Sequence, residues 1–231
     1  MRLLLIRHGQ TPANVAGALD TAVPGLPLSA LGEAQAAAVP AALTDEMTGG
    51  RVDGLYASRL VRTQLTAAPL ARSRDLRVEV RSGFEEVSAG AYEMRSDPEA
   101  IEGYVGALAA WMAGDLDHAV PGGEDGHAFL ARYEAAVAAV VAAHGPDETA
   151  VVISHGAAIR VYAAIAARLP VEQAHELWLA NTGLAALVGD PASGWRLDRW
   201  LPEPLGGTEL LDVTAEDVTG EDVHGEEGGD R

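Results

Sequence analysis

The chain has no cysteine and no lysine. The first absence excludes disulfides, thiolate metal sites, iron–sulfur clusters and a Cys nucleophile, and it fits an expected cytoplasmic location. The second leaves arginine at all 16 of the Lys+Arg positions. With the high alanine content this reads first as a base-composition bias, although arginine is also the cation whose planar fork donates two parallel hydrogen bonds to an oxyanion. Positive charge is scarce overall: 34 carboxylates against those 16 cations give a formal charge of −18. That balance argues against nucleic acid and anionic membrane surfaces as partners. Long apolar runs are also missing. No stretch approaches the roughly 20 apolar residues that span a bilayer. The apolar start, Met1 to Ile6, stops at Arg7, too early for a signal-peptide core.

Half of the negative charge is concentrated in one place. From Glu203 to Arg231 there are ten Asp or Glu and one Arg, which is −9 of the −18. Beyond Pro204 the sequence is acidic, Gly-rich and poor in apolar residues, so residues 204–231 are expected to form a disordered tail. The preceding 203 residues suit one α/β domain, and the 48% apolar content supplies a substantial core.

Arg2 to Arg7 and Ala150 to Ser154 are short continuous apolar runs, as in parallel strands covered on both faces. Further strands are expected at 54–57, 76–80, 183–188 and 195–200, the last two as a closing hairpin. Helices are expected at 30–42 (capped by Ser29, with Pro40 kinking or shortening it), 59–72, 97–114, 124–144 and 156–168. Strands separated by helices imply a doubly wound three-layer α/β sandwich, its mostly parallel sheet flanked by helices on both faces. The helices at 97–144 would cap the crevice. Their Tyr104, Trp111, Met112 and Phe129 could line a pocket or fill the core, the core being the commoner fate.

Two segments share a pattern: Leu3-Leu4-Leu5-Ile6-Arg7-His8-Gly9 and Val151-Val152-Ile153-Ser154-His155-Gly156. Each is a buried strand ending in His-Gly. In open α/β sheets the ligand crevice lies beyond the carboxyl ends of the strands, so both histidines should reach one crevice. Neither has a second His or carboxylate at metal-ligand spacing, so neither a metal nor a cofactor is expected. A neutral imidazole at a strand end can instead accept a phosphoryl group, provided its other nitrogen is held and fixed cations surround the phosphate. Arg7 adjoins His8, and Arg62 opens a helix directly after a strand, at the same edge. The leaving oxygen needs a proton, and Glu85 and Glu86 are the candidates in a loop after another strand.

Arg7-His8-Gly9-Gln10-Thr11 followed by Asn14 resembles the Arg-His-Gly-(Glu/Gln)-(Thr/Ser)-x-x-Asn signature of the histidine phosphatase superfamily, the phosphoglycerate mutase-like fold. Leu28-Ser29 with Gly32 and Gln35-Ala36, Ser58-x-Leu60-x-Arg62-Thr63, Pro121-Gly122-Gly123-Glu124, Ser154-His155-Gly156 and Asn181-Thr182-Gly183 resemble further motifs of that family, in the family's order. The resemblance implies that His8 carries the phosphoryl group. It implies that Arg7, Arg62 and His155 bind it with Asn14 at the edge, while Gly9, Gln10 and Thr11 shape the loop. It also selects Glu86 over Glu85 as the acid, because Glu86 lies four residues before Gly90, and it matches Glu93 to the family's second Glu. Met94 stands where the family has Gly. Glu124 could contact substrate or support the first turn of its helix.

The expected activity is phosphomonoester hydrolysis on a small phosphorylated substrate. Two alternatives remain: phosphoglycerate mutase-type transfer, and a catalytically idle binder. The mutase branch is similar at the nucleophile but carries a Gly-Trp shortly after the first motif, where this chain has Gly25-Leu26, and it uses a substrate-binding Lys and an Arg-Arg pair, neither of which is present here.

Overall fold

The computed structural model describes residues 1–215, 217 and 218. In chain order the elements are β1 (Arg2–Arg7), α1 (Pro12–Val15), α2 (Ala30–Ala42), α3 (Asp45–Thr48), β2 (Gly54–Ala57), α4 (Val61–Arg74), β3 (Val78–Val80), α5 (Pro98–Met112), α6 (Gly126–Ala143), β4 (Thr149–Ser154), α7 (Gly156–Ala166), α8 (Val171–His175), β5 (Leu184–Asp190) and β6 (Gly194–Leu201). Among the described residues no helix is long and apolar enough to cross a membrane.

The six strands form one sheet in the order β3-β2-β4-β1-β5-β6. The first four are parallel, and the β5–β6 hairpin adds an antiparallel edge. The apolar runs explain why this sheet has two buried faces. Successive side chains of a strand point to opposite sides. Leu3, Leu5, Ala150 and Val152 enter a core shared with α5, α6 and α7, whereas Leu4, Ile6, Val151 and Ile153 enter a second core shared with α2 and α4. The expected three-layer sandwich is therefore present.

The expected helices at 97–144 are α5 and α6. Their Tyr104, Trp111 and Phe129 are buried in the first core and Met112 packs against it, so these side chains fill the core. Pro40 does not end α2, which runs through to Ala42. Part of the acidic stretch expected to be disordered from 204 onward lies against the body. Leu205 joins the second core, and Gln35 Nε2 donates to Leu210 O at 2.8 Å. The few apolar residues at the start of the stretch hold it to the body, and residues 216 and 219–231 lie outside the described residues.

Candidate active site

β1 and β4 are paired in parallel with Arg7 opposite Ser154, so His8 and His155 each leave the sheet one residue beyond the same edge. Their ring centroids are 5.2 Å apart in an edge-on arrangement. His8 is buried, and its Nδ1 lies 2.7 Å from Gly9 O. A carbonyl can only accept, so Nδ1 carries the proton and the lone pair is on Nε2. Burial first, then the Arg62 and Arg7 charges, pushes the pKa of His8 well below the usual histidine value. The ring is thus neutral, with one tautomer selected, which leaves Nε2 as a nucleophilic lone pair.

The backbone under His8 is tied on every side. Thr66 Oγ1 accepts from Gly9 N at 2.9 Å, and Asn181 Nδ2 donates to His8 O at 3.0 Å. Thr182 N donates to both Arg7 O and His8 O. Thr182 does so from a left-handed conformation (φ 61°) that a β-branched residue adopts only when its surroundings impose it. Gly9 is required for space: a Cβ there would stand 2.5 Å from Gly32 O.

His155 is wired the other way round. Its Nε2 is 2.8 Å from Ser58 Oγ, and its buried Nδ1 has no partner among the described residues. Burial, then the Arg62 charge, lowers its pKa well below the ordinary value.

Arg62, in the first turn of α4, is buried and held by Asp20, with Nη2 donating to the Asp20 carbonyl at 2.7 Å and Nη1 to Oδ2 at 3.3 Å. Its Nε is a second buried donor without a partner among the described residues. Glu86 is buried at the start of α7: Oε1 accepts from Val87 N and Ala158 N, and Oε2 from Ala157 N at the longer distance of 3.2 Å. Burial dominates over these donors and raises its pKa, favouring the protonated acid. One small pocket is lined by His8, Thr11, Asn14, Asp20, Arg62 and Glu86.

Arg7 adjoins His8, and its charge acts on His8, Arg62 and His155. It is fully buried, donates to Leu179 O at 2.8 Å, and grips the Asp217 carboxylate through Nη1 (2.6 Å) and Nη2 (2.7 Å). Asn14 Nδ2 donates to the same carboxylate at 3.1 Å, while Asn14 Oδ1 completes a capping box with Thr11. Gln10 faces the terminal segment, donating to Asp212 at 2.8 Å.

The remaining carboxylates brace loops. Glu85 pairs with Arg59, and Glu93 accepts from Thr21 and Ala22. Glu124 accepts from Ser88 N and from two nitrogens of Arg132. Arg132 also donates to the carbonyls of Gly83, Glu85 and Glu86, so a single guanidinium of α6 holds the loop carrying Glu86. Sequence reasoning missed Arg132, Asp20 and Asp217, because none belongs to a motif. Ser58 and Asn181 do lie in motifs, but their hydrogen bonds to the two histidines were not assigned.

A sequence profile of the histidine phosphatase superfamily (branch 1) matches residues 3–201. The glucosyl-3-phosphoglycerate phosphatase of Mycobacterium tuberculosis (strain ATCC 25618 / H37Rv) is 33% identical over 219 residues, covering 86% of this chain and 93% of that protein. A structure of mycobacterial glucosyl-3-phosphoglycerate phosphatase Rv2419c with VO3 matches with a TM-score of 0.72 at 30% identity, over 87% of this chain and 99% of the other. The PE-PGRS family protein PE_PGRS11 of the same organism is 35% identical over 224 residues, and there this chain spans 37% of the relative's length. The chain belongs to the histidine phosphatase superfamily, branch 1, and with it to the metal-independent phosphatases.

Proposed function

We propose that the protein is a phosphomonoesterase that works through a phosphohistidine on His8. The observation that carries this reading is the His8 tautomer: Nδ1–H is bound to Gly9 O, the ring is neutral, and its pocket is shared with Arg62 and Glu86. His8 Nε2 attacks phosphorus as the bond to the ester oxygen breaks, and Glu86 gives its proton to that oxygen. Arg62 Nε and His155 Nδ1 are buried without partners among the described residues, and phosphoryl oxygens would give both of them an acceptor. Water then attacks phosphorus, loses a proton to Glu86, and the nitrogen–phosphorus bond breaks to return neutral His8 and inorganic phosphate.

The substrate is a small phosphorylated metabolite. Hydrolysis, rather than return of the phosphoryl group to substrate, is supported by the absence of lysine and of an adjacent arginine pair. The test is phosphate release from a panel of sugar phosphates, nucleotides, phosphoglycerates and phospho-amino acids, with and without 2,3-bisphosphoglycerate. Steady release without the bisphosphate is expected, and a strict requirement for it would point to a mutase.

A further inference from the structure

We infer that a groove beyond Glu86 receives the leaving group, and that its charge selects monoesters whose leaving group is uncharged and hydroxyl-bearing. This inference rests on the roles of His8 and Glu86 given above. In an in-line displacement the leaving oxygen departs opposite the nucleophile, on the side of the acid that protonates it. Glu86 and Thr21 line both the pocket holding His8 and a neighbouring groove of about 380 Å³. The leaving group therefore has a defined place.

Both cations of the groove are matched from within the chain. Arg59 Nε lies 2.5 Å from Glu85 Oε1, and Arg132 is gripped through two nitrogens by Glu124 at 2.6 and 2.8 Å. Glu93 is the exception among the carboxylates, since the donors given to it, Thr21 N, Thr21 Oγ1 and Ala22 N, are all neutral. With Glu86 protonated the lining carries Glu85, Glu93 and Glu124 against Arg59 and Arg132. A carboxylate or second phosphate on the leaving group enters a net negative field, whereas an uncharged, hydroxyl-bearing group meets no such repulsion.

Glycerol 3-phosphate and 3-phosphoglycerate share a skeleton and differ by a hydroxymethyl group in place of a carboxylate. The expected kcat/KM favours glycerol 3-phosphate by about tenfold. Raising the ionic strength should narrow that ratio, as should Glu93→Gln. Equal or better turnover of 3-phosphoglycerate, with p-nitrophenyl phosphate hydrolysed normally, overturns the groove assignment alone. Failure to hydrolyse p-nitrophenyl phosphate overturns the phosphatase reading as well.

A separate observation, the fork between Asp217 and Arg7, carries a second proposal. We propose that the terminal segment is an internal competitor whose Asp217 carboxylate occupies donors meant for the substrate phosphate. Its two oxygens take both terminal nitrogens of Arg7, and one also takes the amide of Asn14. Two oxygens spanning an arginine fork reproduce what a phosphate presents. Asp217 sits on a terminal segment beneath which a cavity of about 220 Å³ remains, and Val213 of that segment is 82% exposed. On this proposal a phosphate dianion displaces the terminal carboxylate.

Asp217→Asn and Asp217→Ala in the full chain should lower the Ki for inorganic phosphate and the KM for p-nitrophenyl phosphate by about tenfold, with kcat unchanged or raised. A fall in kcat with KM unchanged, in protein that melts like the parent, overturns the proposal and makes Asp217 a positioning residue for Arg7. An unchanged Ki in both variants overturns it too.

Discussion

His8 and His155 occupy equivalent places, each one residue past a buried parallel strand and each followed by glycine, yet they present opposite nitrogens. His8 spends Nδ1 on a backbone carbonyl and keeps Nε2. His155 spends Nε2 on the Ser58 hydroxyl and keeps Nδ1. The carbonyl permits one tautomer of the neutral ring, whereas a hydroxyl can donate or accept and permits either. The fixed ring suits a nucleophile. In the proposed mechanism, the adaptable ring suits a donor that meets both the ester phosphate and the phosphohistidine. Identical dipeptides thus acquire different chemistry from a single hydrogen-bond partner.

Substitutions can break that comparison. His8→Ala should cost the most, about 10⁴-fold or more in kcat, and should abolish an acid-labile, base-stable phosphoryl label on the protein. His155→Ala should slow turnover by roughly 10²- to 10³-fold while the label on His8 still forms. A label retained in His8→Ala and lost in His155→Ala would reverse the two roles.

Glu86→Gln should slow alkyl phosphates by about 10²-fold or more and p-nitrophenyl phosphate far less, since only the poor leaving group needs the proton. If Glu85→Gln produces that pattern instead, the acid is its neighbour. With alkyl phosphates, kcat/KM should fall as pH rises through the raised pKa of Glu86, because the acid then loses its proton. Ser58→Ala releases the His155 ring and should cost about tenfold or less, with the His8 label unaffected.

The smallest effect concerns stability. His8 and His155 titrate well below 6.5 when folded and near about 6.5 when unfolded. Between those values the unfolded chain binds more protons. Their contribution to stability is complete above that pH and is lost as pH falls toward the folded values. Denaturant titrations across this window should show a shallower pH dependence in His8→Gln and His155→Gln.

Much of the fold was legible in local pattern. The apolar runs of β1 and β4 announced strands buried on both faces, and alternate residues do enter two cores. Boundaries were less legible: α4 begins at Val61 and β3 at Val78, because the flanking residues suit either state until packing decides. Within the site, motif spacing placed His8, Arg62, Glu86 and Asn14, and the structure brings these four to one pocket. Arg7, expected to bind the phosphoryl group with them, holds Asp217 from a stretch whose composition suggested disorder. A charge-rich stretch stays on the body when a few of its residues find buried partners, and composition averages over those few.

The sequence by itself determined the strand-end histidines, the order of the motifs and the surplus of carboxylates, because strand burial and spacing are local properties of the chain. Only the tertiary structure decided which nitrogen each histidine presents, which carboxylate neutralises which arginine, and that Arg132 of α6 holds the loop of Glu86. Those pairings join residues tens to hundreds of positions apart, from Arg132 with Glu86 to Arg7 with Asp217. In a buried site, each such partner sets the proton, charge or orientation on which the chemistry depends.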